Sequence, residues 1–204
     1  MSEFEIRDND HGVGKVLILK SAWSPEVTSY LKEHYIYALR LSDSSGFKSE
    51  DLSFLTELTF LKSLEIYCWG AKGIKVIEHL PQLEVLGLQC KSAQKIDLSN
   101  FSKLRVAKVT WAKGLSSLFR CLSIELLNIQ NYPNTDLMAL SNMVNLRRLY
   151  LTSRKLESLK GIDACNNLEV LDLYNCQKLA SLNGTELCPN LNKVEIEACS
   201  HVIA

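Results

Sequence analysis

Asn145-Leu146-Arg147-Arg148-Leu149-Tyr150-Leu151 is followed, 22 residues on, by Asn167-Leu168-Glu169-Val170-Leu171-Asp172-Leu173. In each heptad the last two leucines are two positions apart. Side chains alternate along a strand, so both point to one face, with a different residue type between them on the other. Working outward, the pattern Leu-x-x-Leu-x-Leu returns as Ile36/Leu39/Leu41, Leu61/Leu64/Ile66, Leu83/Leu86/Leu88, Leu104/Ala107/Val109, Ile124/Leu127/Ile129 and Leu191/Val194/Ile196. Successive first residues lie 25, 22, 21, 20, 22, 22 and 23 residues apart. A further step of 22 back from Ile36 reaches Gly14 and puts Leu17 and Leu19 in register. One coil of this length cannot bury its own aliphatic face, so neighbouring coils must stack.

The predicted fold is therefore α/β. It is a solenoid with a parallel β-sheet on its concave face and loops or short helices on its convex face. Residues 36–204 hold about eight repeats, and residues 1–35 form an N-terminal strand and helix cap. In that cap, Asn9-Asp10-His11-Gly12 reads as a hairpin turn between two apolar strands. Ser24-Pro25-Glu26 reads as the cap and first turn of a helix running to about His34.

Leu-x-x-Leu-x-Leu at this period resembles the leucine-rich-repeat superfamily, in the roughly 22-residue internalin-like class. The resemblance spans about residues 36 to 200. It also rests on apolar residues every third position before the strand (Leu52/Leu55/Leu58, Ile74/Ile77/Leu80), on Pro81 and Pro189, and on Asn145, Asn167 and Asn190. It implies a rigid scaffold whose strand surface varies with the partner. The family usually places Asn or Cys three residues after the last strand leucine. Here that column reads Ser44, Trp69, Lys91, Ala112, Tyr132, Arg154, Cys176, Cys199, so less regular N-terminal loops are expected.

Register sorts the remaining residues. The seven cysteines fall on three columns: Cys121, Cys165 and Cys188 among core positions, Cys176 and Cys199 in the loop column, and Cys68 with Cys90 just after the strand. They read as structural thiols, with Cys68 and Cys90 the one pair considered for redox chemistry. The residues after each first leucine alternate in sign: Lys62, Glu84, Arg105, Glu125, Arg147, Glu169. Lateral neighbours of opposite sign help fix register.

Composition limits function. The 23 Lys and Arg balance 23 Asp and Glu, without the basic stripe of nucleic-acid binders. The longest apolar run, Val16-Leu17-Ile18-Leu19, is too short to span a bilayer, and the acidic start lacks a secretory signal. A cytoplasmic protein is expected. Gly12-Val13-Gly14-Lys15 has neither the spacing nor the Ser/Thr of a phosphate loop. The histidines are scattered, and no nucleophile or metal motif is present. No enzyme, cofactor or metal site is expected.

What remains is the concave strand face. Four after each first residue stand Arg40, Glu65, Gly87, Lys108, Asn128, Tyr150, Asp172 and Glu195. Six after stand Ser42, Tyr67, Gln89, Thr110, Gln130, Thr152, Tyr174 and Glu197. All are expected to meet solvent. The candidate partner-binding residues are Tyr67, Lys108, Gln130, Arg148, Tyr150, Asp172, Tyr174, Glu195 and Glu197, since Tyr, Trp and Arg dominate binding energies. Trp69 and Trp111, at the strand-to-loop edge, either extend this patch or pack into their loops. The acidic end, Asp172 with Glu195 and Glu197, would suit a partner with basic residues there. The expected function is a protein-binding scaffold, acting as an intracellular inhibitor of the immunity type or as a regulatory adaptor. The alternative is a homo-oligomeric assembly element, a homodimer through an exposed C-terminal strand.

Overall fold

A computed structural model describes residues 3–49, 51–91 and 94–202. It divides into two compact units: Met1–Leu104 with Ala112–Leu115, and Arg105–Trp111 with Ser116–Ala204.

Unit 1 opens with an antiparallel hairpin, β1 (Phe4–Asp8) and β2 (Lys15–Leu19). Its turn is closed by Asn9 N–H donating to Gly14 O at 2.8 Å, while Asn9 Oδ1 accepts from His11 N–H at 2.8 Å. Helix α1 (Pro25–Glu33) follows, with Pro25 in the first turn and Val27 and Leu31 buried. Ser24 is extended and makes no side-chain cap bond to the helix backbone. The chain then adds β3 (Ala38–Ser42), β4 (Ser63–Tyr67) and β5 (Val85–Leu88), each parallel to the strand before it. Leu17, Leu39, Leu64 and Leu86 lie side by side and fully buried. The leucine register thus holds from the first coil, including the step back from Ile36.

Unit 2 carries β6 (Val106–Thr110), β7 (Leu126–Gln130), β8 (Arg148–Thr152), β9 (Val170–Tyr174) and β10 (Lys193–Glu197), parallel and in chain order. Ala107, Leu127, Leu149, Leu171 and Val194 form one core row; Val109, Ile129, Leu151, Leu173 and Ile196 form the other. Leu149 and Leu151 are buried, while Val194 and Ile196 on β10 are about two-fifths exposed, at 40% and 42%.

The returns are short 3-10 turns, such as Ile74–His79 in unit 1 and Ile162–Ala164 in unit 2. Gly161 shows why one of them must start with glycine. Its φ is 98°, and a Cβ there would sit 2.8 Å from the Met138 backbone.

Polar groups tie each coil of unit 2 to the one before. Asn145, Asn167 and Asn190 donate their side-chain N–H to the carbonyls of Leu122, Val144 and Asn166, each at 2.8 Å. In the loop column, Cys176 N–H donates to Cys199 Sγ at 3.3 Å. Arg154 cannot serve there, and its neighbour Ser153 does the work: its hydroxyl donates to Tyr132 O at 2.9 Å and accepts from Lys155 and Leu156 N–H. The alternating charges also pair, Lys62 with Glu84 at 3.3 Å and Arg147 with Glu169 at 2.6 Å.

The cysteines are free thiols, six of them buried. Burial pushes the Cys68 thiol up to about 12 and the Cys165 thiol up to about 11. Cys68 stays protonated at neutral pH, and the thiol is far less nucleophilic than the thiolate.

Candidate binding face

The strand face opposite the leucines differs between the units. In unit 1 the expectation of solvent contact for Ser42, Glu65 and Gly87 is corrected, while Arg40 stays partly exposed. Val16, Ile18 and Ala38 form a second apolar cluster on this face, and Ser63 and Val85 are fully buried. The hairpin turn reaches over it, with Asn9 Nδ2 donating to Ser63 Oγ at 3.5 Å. A carboxylate buried here must be paired. Glu65, only 1% exposed, is ion-paired with the Arg40 Nε. It also accepts the Tyr67 hydroxyl at 3.1 Å. Burial, then the Glu65 carboxylate, pushes the Tyr67 phenol well above its ordinary value. Gly87 leaves room for that ring, since a Cβ there would meet Tyr67 Oη at 2.7 Å. Tyr67 is thus partly buried, with its hydroxyl committed to the protein's own network. Trp69, two residues on, is 60% exposed, its backbone N–H donated to Asp43 Oδ2 at 2.9 Å.

In unit 2 the same face is open. Strand register arranges it in three rows. The first runs Val106, Leu126, Arg148, Val170, Lys193. The second runs Lys108, Asn128, Tyr150, Asp172, Glu195. The third runs Thr110, Gln130, Thr152, Tyr174, Glu197. Arg148, Gln130, Tyr174, Glu195 and Glu197 are exposed; Lys108, Tyr150 and Asp172 are partly so. Among the described residues, Lys108, Arg148, Tyr150, Asp172, Tyr174 and Glu197 make no ion pair or side-chain hydrogen bond. Arg147, one residue from Arg148, is by contrast paired with Glu169 on the structural column. Thr110 donates to Gln130 Oε1 at 3.1 Å, and Lys193 pairs with Glu195 at 3.0 Å.

Asp172 and Glu195 stand directly opposite across β9 and β10. Partial burial, then Glu195, pushes the Asp172 carboxyl above its ordinary value, with Lys193 working against the shift. Trp111 joins none of this. It stacks on Phe119, ring centroids 5.1 Å apart, and Phe119 meets Tyr132 edge-on at 5.9 Å. Loop packing is its role.

Sequence reasoning placed the rows correctly but did not separate the covered face from the open one. A signal was present. Val16 to Leu19 is apolar without alternation, the mark of a strand buried on both faces, whereas Arg148 to Thr152 alternates strictly.

No group of three His, Cys, Asp or Glu side chains among the described residues could hold a metal ion. No helix among them is long and apolar enough to cross a membrane. A pocket lined by Glu157, Gln177, Lys178, Ala180 and His201 has its polar groups already engaged: Lys178 pairs with Glu157 at 3.5 Å, and the His201 ring bonds Gln177 O.

These features define a solenoid of stacked parallel strands, and its fold is similar to that of leucine-rich-repeat proteins of known structure. The chain is similar to internalin C2 of Listeria monocytogenes strain 4b F2365, with TM-score 0.53 and 22% identity over 78% of this chain and 70% of that one. It is similar to the internalin InlF of the same strain, with TM-score 0.57 and 19% identity over 84% of this chain and 51% of that one. It is also similar to a TDR receptor, with TM-score 0.55 and 15% identity over 87% of this chain and 37% of that one. No protein-family model matches the sequence, and no curated protein matches it.

Proposed function

We propose that the chain is a protein-binding scaffold that takes its partner on the open strand face of unit 2. One observation carries this reading. On neighbouring strands elsewhere, charges meet opposite charges, Arg40 with Glu65 and Arg147 with Glu169. On this face it leaves Lys108, Arg148, Asp172 and Glu197 without ion pairs among the described residues, around two accessible tyrosines. Rigid aromatics amid uncommitted polar groups are the composition that binding energy concentrates on. The contact set is Lys108, Gln130, Arg148, Tyr150, Asp172, Tyr174, Glu195 and Glu197. Trp69 is a separate candidate contact on unit 1.

Affinity capture from a lysate of the native cell tests this. Wild type should recover a stoichiometric partner, and the Tyr150→Ala, Tyr174→Ala double variant should lose it while keeping its fold. Capture that survives both changes would remove this face from the function. The finer role is an inhibitor of the immunity type or a regulatory adaptor. A partner whose own activity disappears on binding argues for the inhibitor. The seven free thiols are what a reducing compartment preserves, which supports a cytoplasmic setting. A homodimer is the second reading, favoured by the partial exposure of Val194 and Ile196 on β10; solution mass decides it, since a strict monomer excludes it.

A further inference from the structure

The middle row of the unit 2 face has a direction. From β6 to β10 it reads Lys108, Asn128, Tyr150, Asp172, Glu195. The rows on either side agree with it. Arg148, on β8, is the only other charge on this face of β6, β7 and β8. Glu197 joins Asp172 and Glu195 on β9 and β10, where Lys193 is the single cation. One side of the face therefore holds two cations and no carboxylate. The other holds three carboxylates and one ammonium. Tyr150 stands between the poles, and Tyr174 lies against the acidic one.

Stability does not explain this separation. A cation at position 150, directly beside Asp172, would relieve the Asp172–Glu195 opposition, and like charges facing each other across strands destabilise a sheet. The column carrying Arg147 and Glu169 shows that the chain does interleave signs where they serve its own register. Sorting the signs instead leaves Lys108 at one pole and Asp172 and Glu197 at the other without an ion pair, while Glu195 keeps Lys193.

We propose that the partner is a polypeptide segment crossing the strands of unit 2, with a carboxylate over Lys108 and a basic side chain over Asp172 and Glu195. This rests on the docking face proposed above and names what fits it. Adjacent strands lie about 4.8 Å apart, so Lys108 on β6 and Asp172 on β9 are separated by roughly 14 Å. An extended chain rises about 3.3 Å per residue, so the two charges of the segment stand four to five residues apart. The tyrosines between them supply area at low entropic cost.

The test is selection of a random twelve-residue peptide library on the full chain, followed by titration of synthetic versions of the selected peptides. Selected peptides should carry an acidic and a basic residue four to five apart. Versions made wholly basic or wholly acidic at those two positions should bind at least tenfold more weakly. Lys108→Gln and Asp172→Asn should each weaken the mixed peptide by about fivefold or more, with thermal unfolding confirming that both variants fold. Peptides that require Tyr150 and Tyr174 but carry no such charge pair would overturn the proposal and leave the docking face standing. Peptides indifferent to both tyrosines would overturn the two together. A solution dimer dissociated by Tyr150→Ala would make a second copy the occupant and overturn the polypeptide proposal.

Discussion

The two units carry the same leucine register and treat the opposite strand face in opposite ways. In unit 1 that face is a second interior. Val16, Ile18 and Ala38 cluster there, and its buried carboxylate, Glu65, is held by Arg40 and Tyr67. In unit 2 the face holds more charges, and most of them are uncommitted. The contrast teaches that a repeat fixes where side chains point but not whether they are covered. Covering is decided by what else the chain lays across the sheet, here the turn from Asn9 to Gly14.

Substitutions that exchange the two treatments break or sharpen this contrast. The largest effect is expected at Glu65. Glu65→Ala strands the part-buried Arg40 guanidinium and the Tyr67 hydroxyl, and should cost about 3 kcal/mol in chemical denaturation. A cost below about 1 kcal/mol would mean that unit 1's face is as open as unit 2's.

Gly87→Ala comes next. The added methyl would push the Tyr67 hydroxyl away from Glu65. The expected loss is about 2 kcal/mol, the worth of a hydrogen bond to a charged group. Asn128→Ala, on the corresponding column of unit 2, should change stability by no more than about 0.5 kcal/mol.

Asp172→Asn should work in the opposite direction. Its folded-state carboxyl sits above the ordinary value of 3.8. For a raised acid, the contribution is favourable at low pH and is lost as pH rises through the folded value. The Asn variant should therefore be the more stable at pH 7, by up to about 1 kcal/mol. That gain should vanish in acid, where wild-type Asp172 is protonated too. Denaturation midpoints across pH check this, and a gain that persists in acid would point to a cause other than charge.

The smallest effect is expected at Tyr174. It is 48% exposed, so Tyr174→Ala should shift stability by about 0.5 kcal/mol at most while weakening partner binding.

Much of this was legible in the sequence because strand periodicity turns position into direction. The buried rows through Leu64 and Leu149, the hairpin before Lys15 and the paired charges at Arg147 and Glu169 all follow from counting. The Arg40–Glu65 pair also left a trace, as opposite charges on adjacent copies of one column beside a glycine. What counting could not supply was contact between residues distant in sequence. Asn9 reaches Ser63 across 54 positions, and no local pattern encodes that. Trp111 was ambiguous for the same reason, since its fate depends on Phe119 lying where it can stack. Ser153 was missed because its role sits one residue away from the column that the family pattern marks.

The sign alternation that runs from Lys62 to Glu169 gives the molecule a parity. Excising one coil would bring two like charges face to face at the splice, whereas removing two adjacent coils would restore the match. Growth or shortening of such a chain therefore has a natural quantum of two turns, near 44 residues for two steps of 22, even though each turn is complete in shape by itself.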